Sequence, residues 1–269
     1  MPMKNKIEIE PKGSYFQIDE NGFLINPTSL EKIQEEWKPV VDDIVEAYKS
    51  HFGEKLKNVY IRGSVAKGEA IKNISDVDSF SYIDLPRDSI DTEWKEEARS
   101  KIEKKYPFIE GAELMCRPFA IAHMNIVFLN QSVCVYGESI AVPKVKPGKD
   151  MMFHIPNLES RAVLLEEKFQ KADSEESIKS ACVWFAKDML RTGFELTMER
   201  SQKYTRDLYR CYETFAEYYP EKEPEMREVL DLALNPTADK KKIKEIMDNL
   251  GAWLLVEMPN HFEVKNAEN

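Results

Sequence analysis

Cysteine is scarce in this chain of 269 residues: Cys116, Cys134, Cys182 and Cys211 lie far apart. No two form a C-x-x-C pair, and the four histidines keep no ligand spacing to them, which argues against a zinc site and leaves reduced, buried thiols. Long apolar runs are absent as well. None approaches the roughly 20 residues needed to cross a bilayer, so no membrane association is expected. Positive charge is in deficit, with 38 Lys and Arg against 48 Asp and Glu, a net charge of −10. That balance argues against a nucleic-acid backbone as partner, where a basic face is needed, and suits a cationic one. The opening "MPMKNKIEIEPKG" carries neither an apolar core nor a cleavage pattern, so the expected location is the cytoplasm. From Leu158 to Tyr219 there is no proline and one glycine, Gly193.

What is present describes a globular chain in two parts. Hydrophobic residues make up 42% and charged residues 32%, enough apolar surface for a sizeable core. Residues 13–27 predict a short β element turning at "DENG", and Leu30, Ile33, Trp37, Val40, Val41, Ile44 and Tyr48 recur at helical spacing. Strands are expected near Val59–Arg62 and over Val77–Ile83, a helix over 89–106, and an extended run at "AELMCRPFAIAHMNIVFL". The proline-rich stretch 142–157 marks a linker. Beyond it the pattern predicts helices at 158–171, 174–200, 203–218, 223–234 and 239–256, with "DSEES" as an N-cap and Glu176 completing a capping box. The fold class is therefore α+β: a mixed-sheet domain over 1–145, then an all-α bundle over 146–269.

The stretch "YIRGSVAKGEAIKNISDVDSFSYI" carries the chemistry. Residues two apart on a strand share a face, so Asp76 and Asp78 project two carboxylates together. Such a pair resists ionisation unless it shares a proton or a cation, and magnesium is the natural hard ion for oxygen ligands. Gly63 lets backbone approach a phosphate, and Ser64 adds a hydroxyl ahead of a helix start. Glu113, alone among apolar neighbours in "AELMCRP", is the candidate third acid, as metal ligand or as base, if an antiparallel neighbour brings it alongside. Glu110 competes for that place. Lys67 reads as a solvated turn residue.

"RGSVAKGEAIKNISDVDSF" resembles the signature of the polymerase-beta-type nucleotidyltransferase superfamily: Gly-Ser, about ten residues, Asp-x-Asp, and a later acid. The two-part layout resembles its small bacterial members, among them the aminoglycoside nucleotidyltransferases. The resemblance implies a mixed-sheet catalytic core, magnesium on Asp76 and Asp78, Ser64 at the triphosphate, and in-line transfer of a nucleoside monophosphate to a hydroxyl. Arg62 departs from the apolar or aromatic residue of many members.

In the helical part, Trp184, Lys187 and Arg191 form a stripe apart from the apolar one. By the same resemblance Lys187 would reach the triphosphate, with Arg191 beside it. In the tyrosine-dense run "QKYTRDLYRCYETFAEYYP", Tyr204 and Arg206 stand near a helix start, where Tyr204 could stack on a base. The expected function is magnesium-dependent nucleotidyl transfer from ATP to a small, cationic, aminoglycoside-like acceptor. The alternatives are a protein-adenylylating enzyme of toxin–antitoxin type and a regulatory nucleotide binder without turnover.

Overall fold

A computed structural model describes residues 6–263. The chain divides into two units. One runs from Ile25 to Lys144; the other joins the described residues up to Leu24 to those from Val145 onward. The sequence boundary at 145 had grouped the first segment with the sheet.

In the sheet unit, 3-10 turns at Leu30–Lys32 and Glu35–Trp37 precede helix α1, Lys38–Phe52. The helical periodicity begins at Leu30, but Pro39 fixes where the regular helix can start. Its missing N–H is harmless only in a first turn. Then follow β1 (Leu56–Arg62), the five-residue helix α2 (Gly63–Lys67) and β2 (Val77–Ile83). After them come α3 (Trp94–Lys105), β3 (Ala112–Pro118), α4 (Ile126–Leu129) and β4 (Ser132–Gly137). The expected extended run stops at Pro118, which cannot donate to a ladder, and turns into a 3-10 segment, Phe119–Met124.

The sheet order is β3-β2-β1-β4. β1 is antiparallel to both β2 and β4, whereas β2 and β3 are parallel. The expected antiparallel neighbour is therefore corrected. The connection through α3 is a crossover, which returns the chain in the same direction. α1 and α3 cover one face, closing a core around Trp37, Ile44, Tyr48, Val59, Ile61 and Val77. The other face carries a smaller aromatic cluster of Tyr60, Phe80 and Tyr82 with Ala122 and Leu129.

The helical unit holds α5 (Leu158–Lys171), α6 (Glu175–Glu195), α7 (Met198–Ser201) and α8 (Leu208–Tyr218). It continues with α9 (Glu223–Leu234), α10 (Lys240–Ile246), a π turn at Met247–Gly251 and α11 (Ala252–Glu263). Ser174 caps α6, and its capping-box partner is Ser177, not Glu176. With Ser174 as cap, the third helical position falls on 177.

α8 begins five residues later than its pattern suggests, because residues 204–207 are bonded to the N-terminal segment. The Phe16 amide donates to the Tyr204 carbonyl at 2.8 Å, and Thr205 Oγ1 donates to the Ser14 carbonyl at 2.7 Å. The Ser14 amide donates to Asp207 Oδ2 at 2.8 Å. The expected β element over 13–27 reduces to one isolated bridge, Ile18 to Leu24. No helix among the described residues is long and apolar enough to cross a membrane.

Candidate active site

The end of β1 turns at Gly63 with φ +73°, a left-handed conformation that disfavours any side chain. A Cβ built there would meet Asp78 Oδ2 at 2.7 Å, so glycine also makes room for that carboxylate. Ser64 follows in α2, which ends on Gly68 in the αL region.

Register assembles the rest. Arg62 on β1 pairs across to Asp78 on β2, and Asp78 pairs across to Glu113 on β3. Three charged residues thus form a row over adjacent strands. Arg62 Nε lies 3.6 Å from Asp78 Oδ2. The Glu113 carboxyl is pushed up to about 7, first by partial burial, then by a hydrogen bond to Asp78 and the charges of Asp78 and Asp76, with Arg62 opposing. Its side chain as a whole is exposed; the shift comes from the carboxyl end packed toward Asp78. Asp76 stands one residue ahead of β2 and is exposed, and its charge acts on Glu113. Glu110 lies in the turn before β3, tied by its amide to the Ser75 carbonyl.

A buried hydrogen-bond chain pins this register from behind. Tyr48 of α1 contacts Ser79 Oγ at 3.1 Å, and Ser79 Oγ donates to the Glu113 carbonyl at 2.5 Å. The main chain at Glu113 is thereby tied to β2 from the face opposite its carboxyl, since Ser79 and Asp78 point to opposite sides.

The helical unit gathers cations separately. Lys187, Arg191, Arg206 and Lys12 line one pocket of about 410 Å³, with Asp207 and Glu10 as its acids. Burial lowers the Arg191 guanidinium to about 10, and Arg206 beside it pushes the same way. Trp184 belongs elsewhere. Its ring receives Arg161 of α5 at 5.4 Å and Lys168 at 5.1 Å. Tyr204 is 4% exposed, with Phe16 edge-on against its ring at 5.1 Å; core packing accounts for it, and little of the ring is open to stack on a base.

Residues 30–127 match the family model of the nucleotidyltransferase domain, a span that includes Gly63, Ser64, Asp76, Asp78 and Glu113. That span carries a nucleotidyltransferase domain. Among solved structures, the chain is similar to spectinomycin adenyltransferase AAD(9) from Enterococcus faecialis, in a crystal structure with ATP and spectinomycin. The identity is 12%, the coverage 81% of this chain and 98% of that one, and the TM-score 0.45, a likeness that carries no argument about chemistry. No curated protein sequence matches.

Nucleotidyltransferase domains typically work with a divalent metal, which makes the donor set in the matched span relevant. Among the described residues no group of three or more His, Cys, Asp or Glu side chains closes into a metal centre. The expected three-ligand clamp of Asp76, Asp78 and Glu113 is therefore not preassembled. The donor chemistry nevertheless fits. Asp78 and Glu113 stand opposite each other on neighbouring strands, Asp76 is two residues before Asp78, and all the donors are hard oxygens of the kind a divalent cation takes.

Sequence reasoning passed over Arg117 and Phe128. Arg117 lies four residues beyond Glu113 on β3, so the strand's period of two already placed it on the same face as Glu113.

Proposed function

We propose that this nucleotidyltransferase moves a nucleoside monophosphate from a nucleoside triphosphate, with ATP the first donor to try, to a hydroxyl of a small acceptor, releasing pyrophosphate. The observation that carries the reading is the cross-strand pair of Asp78 and Glu113, set beside the glycine turn at Gly63 and Ser64.

Asp76 and Asp78 would hold a divalent cation, magnesium by preference for hard oxygen ligands. When bound, that ion offsets charge on the donor's phosphates and makes the α-phosphorus more electrophilic. The chain's own groups do the rest. The Gly63 turn brings backbone close to the phosphates, and Ser64 offers a hydroxyl to them. Glu113, with a proton affinity near neutral, is matched to accept the proton of an acceptor hydroxyl once it has released its own. The new bond joins the acceptor oxygen to the α-phosphorus, the bond to pyrophosphate breaks, and the proton passes to Glu113. Lys187 and Arg191, with Arg206, offer cationic heads of a kind that suits a polyphosphate. The aminoglycoside-type acceptor rests on the family likeness and the net charge of −10.

Pyrophosphate release, measured with ATP and a divalent cation against a panel of aminoglycosides and lincosamides, tests the reading. Asp76→Asn and Asp78→Asn are expected to keep the fold by circular dichroism while turnover drops by roughly a hundred- to a thousandfold. Near-normal turnover in either variant would remove the role assigned to these aspartates.

A further inference from the structure

The face of the sheet that carries Asp78 and Glu113 also carries a cation cluster. Phe128 of α4 receives two guanidinium groups: Arg117 from β3 at 4.4 Å from the ring centre, and Arg62 from β1 at 5.0 Å. Arg62 has a partner in Asp78, but Arg117 has none of that kind. Its Nη1 donates to Asn125 Oδ1 at 3.1 Å, its Nη2 faces the Met115 sulfur at 3.0 Å, and its buried Nε makes no hydrogen bond. Among the described residues no carboxylate stands within ion-pair distance of it. Burial holds the Arg117 guanidinium below the ordinary arginine range; Arg62 and Arg87 push the same way, while Tyr82 and the more distant Glu113 carboxyl oppose them.

A half-buried guanidinium with no carboxylate at ion-pair distance among the described residues, beside two more arginines, is an arrangement a fold does not need for its own stability. An apolar chain of the same length would pack there at lower cost. What the arrangement suits is an anion: guanidinium matches the planar geometry of carboxylate and the oxygens of phosphate, and one aromatic ring in contact with both guanidinium groups steadies them.

We propose that Arg117 and Arg62, braced on Phe128, form a recognition station for an anionic group, a phosphate or a carboxylate, on the same face as Asp78 and Glu113. The identity of its ligand rests on the reading of that face as the transfer site. The station takes either the donor's triphosphate or an anionic group of the acceptor. In the second case the acceptor is not a simple polycation of the kind the overall charge suggested.

The probe is inorganic phosphate, titrated into the full-length protein against chloride at matched ionic strength and read by calorimetry and thermal unfolding. Arg117→Met should weaken phosphate binding about tenfold or more, and Arg117→Lys should restore part of it. In phosphate-free buffer the melting temperature of Arg117→Met should be unchanged or higher, because an uncompensated cation has been removed. Phosphate binding equal to wild type in Arg117→Met overturns the proposal, and so does a fall of several degrees in its phosphate-free melting temperature, the mark of a structural arginine. If Arg117→Met fails to fold, Arg62→Gln and Arg117→Lys are measured in its place; wild-type phosphate affinity in both overturns the proposal.

Repeating the titration with saturating α,β-methylene ATP separates the two sources. Phosphate that still binds, with analogue affinity unchanged in Arg117→Met, assigns the station to the acceptor. Phosphate that is displaced, with analogue affinity about tenfold weaker in the variant, assigns it to the donor. A wild-type protein that binds phosphate through Arg117 but neither binds the analogue nor releases pyrophosphate upholds the station and sinks the transfer reading. Pyrophosphate release together with wild-type phosphate binding in Arg117→Met sinks the station alone.

Discussion

At position 63 two constraints coincide, and each can be measured. A left-handed φ costs an L-residue roughly 1–2 kcal/mol, and the added methyl would also press on Asp78 Oδ2 at 2.7 Å. Gly63→Ala should therefore lower stability by about that amount in a denaturant melt and reduce nucleotidyl transfer at least about tenfold, since the displaced oxygen belongs to a proposed metal ligand. A variant that transfers at the wild-type rate would show that Asp78 need not stay where it is. The Asp78–Glu113 pair gives a second test. Asp78→Asn removes one like charge and supplies an amide donor, so the Glu113 carboxyl should titrate well below 7 in metal-free protein, followed by carbon NMR of its side chain. An unmoved titration would mean that burial alone raises it.

Among the elements, α6 depends on a glycine where helix propensity would prefer alanine. A Cβ at Gly193 would collide with Phe215 of α8 and Met226 of α9. The propensity gain of Gly193→Ala is about 1 kcal/mol, whereas overpacking costs roughly 1–3 kcal/mol. The variant should be less stable by up to about 2 kcal/mol in equilibrium unfolding; a rise in stability would show that α8 and α9 can give way. Elements fixed by local pattern were legible in the sequence: β2 at Val77–Ile83, α5 at Leu158–Lys171 and α9 at Glu223–Leu234 all fall where periodicity put them. Elements decided by a partner far along the chain were not. The late start of α8 follows from bonds to Ser14 and Phe16, about 190 residues away, and no window of sequence contains both. β4 was missed because its partner strand, β1, lies some 75 residues earlier.

At the scale of the whole chain, one discontinuous unit depends on a buried acid. Glu195 accepts hydrogen bonds from the amides of Phe153, His154 and Ile155, tying the end of α6 to the turn before α5. Burial pushes its carboxyl up to about 7 against the pull of those three donors. A carboxyl raised in the folded state stabilises fully below its unfolded value of about 4.5, and that contribution is lost as pH climbs to about 7. His154, bonded to Asp188 at 2.9 Å and held below the usual histidine range by burial, works in the opposite sense: its contribution is present above about 6.5 and lost as pH falls. Glu195→Gln should flatten the decline of melting temperature between pH 4.5 and 7. It should also lower stability by about 1–3 kcal/mol, because an amide nitrogen would face N–H donors. An unchanged slope would place the pH response on other groups.

The amino-acid order by itself determined which residues could do chemistry: a glycine turn, two aspartates two apart and a lone glutamate are local facts, and so is the apolar periodicity that sets most strands and helices. Only the tertiary structure decided that β3 runs parallel to β2 with Glu113 opposite Asp78, and that Arg117 ends beside Arg62 on one aromatic ring. Strand register and long-range pairing are set by packing between segments distant in the chain, and a one-residue slip would have turned Glu113 to the opposite face without altering any local pattern.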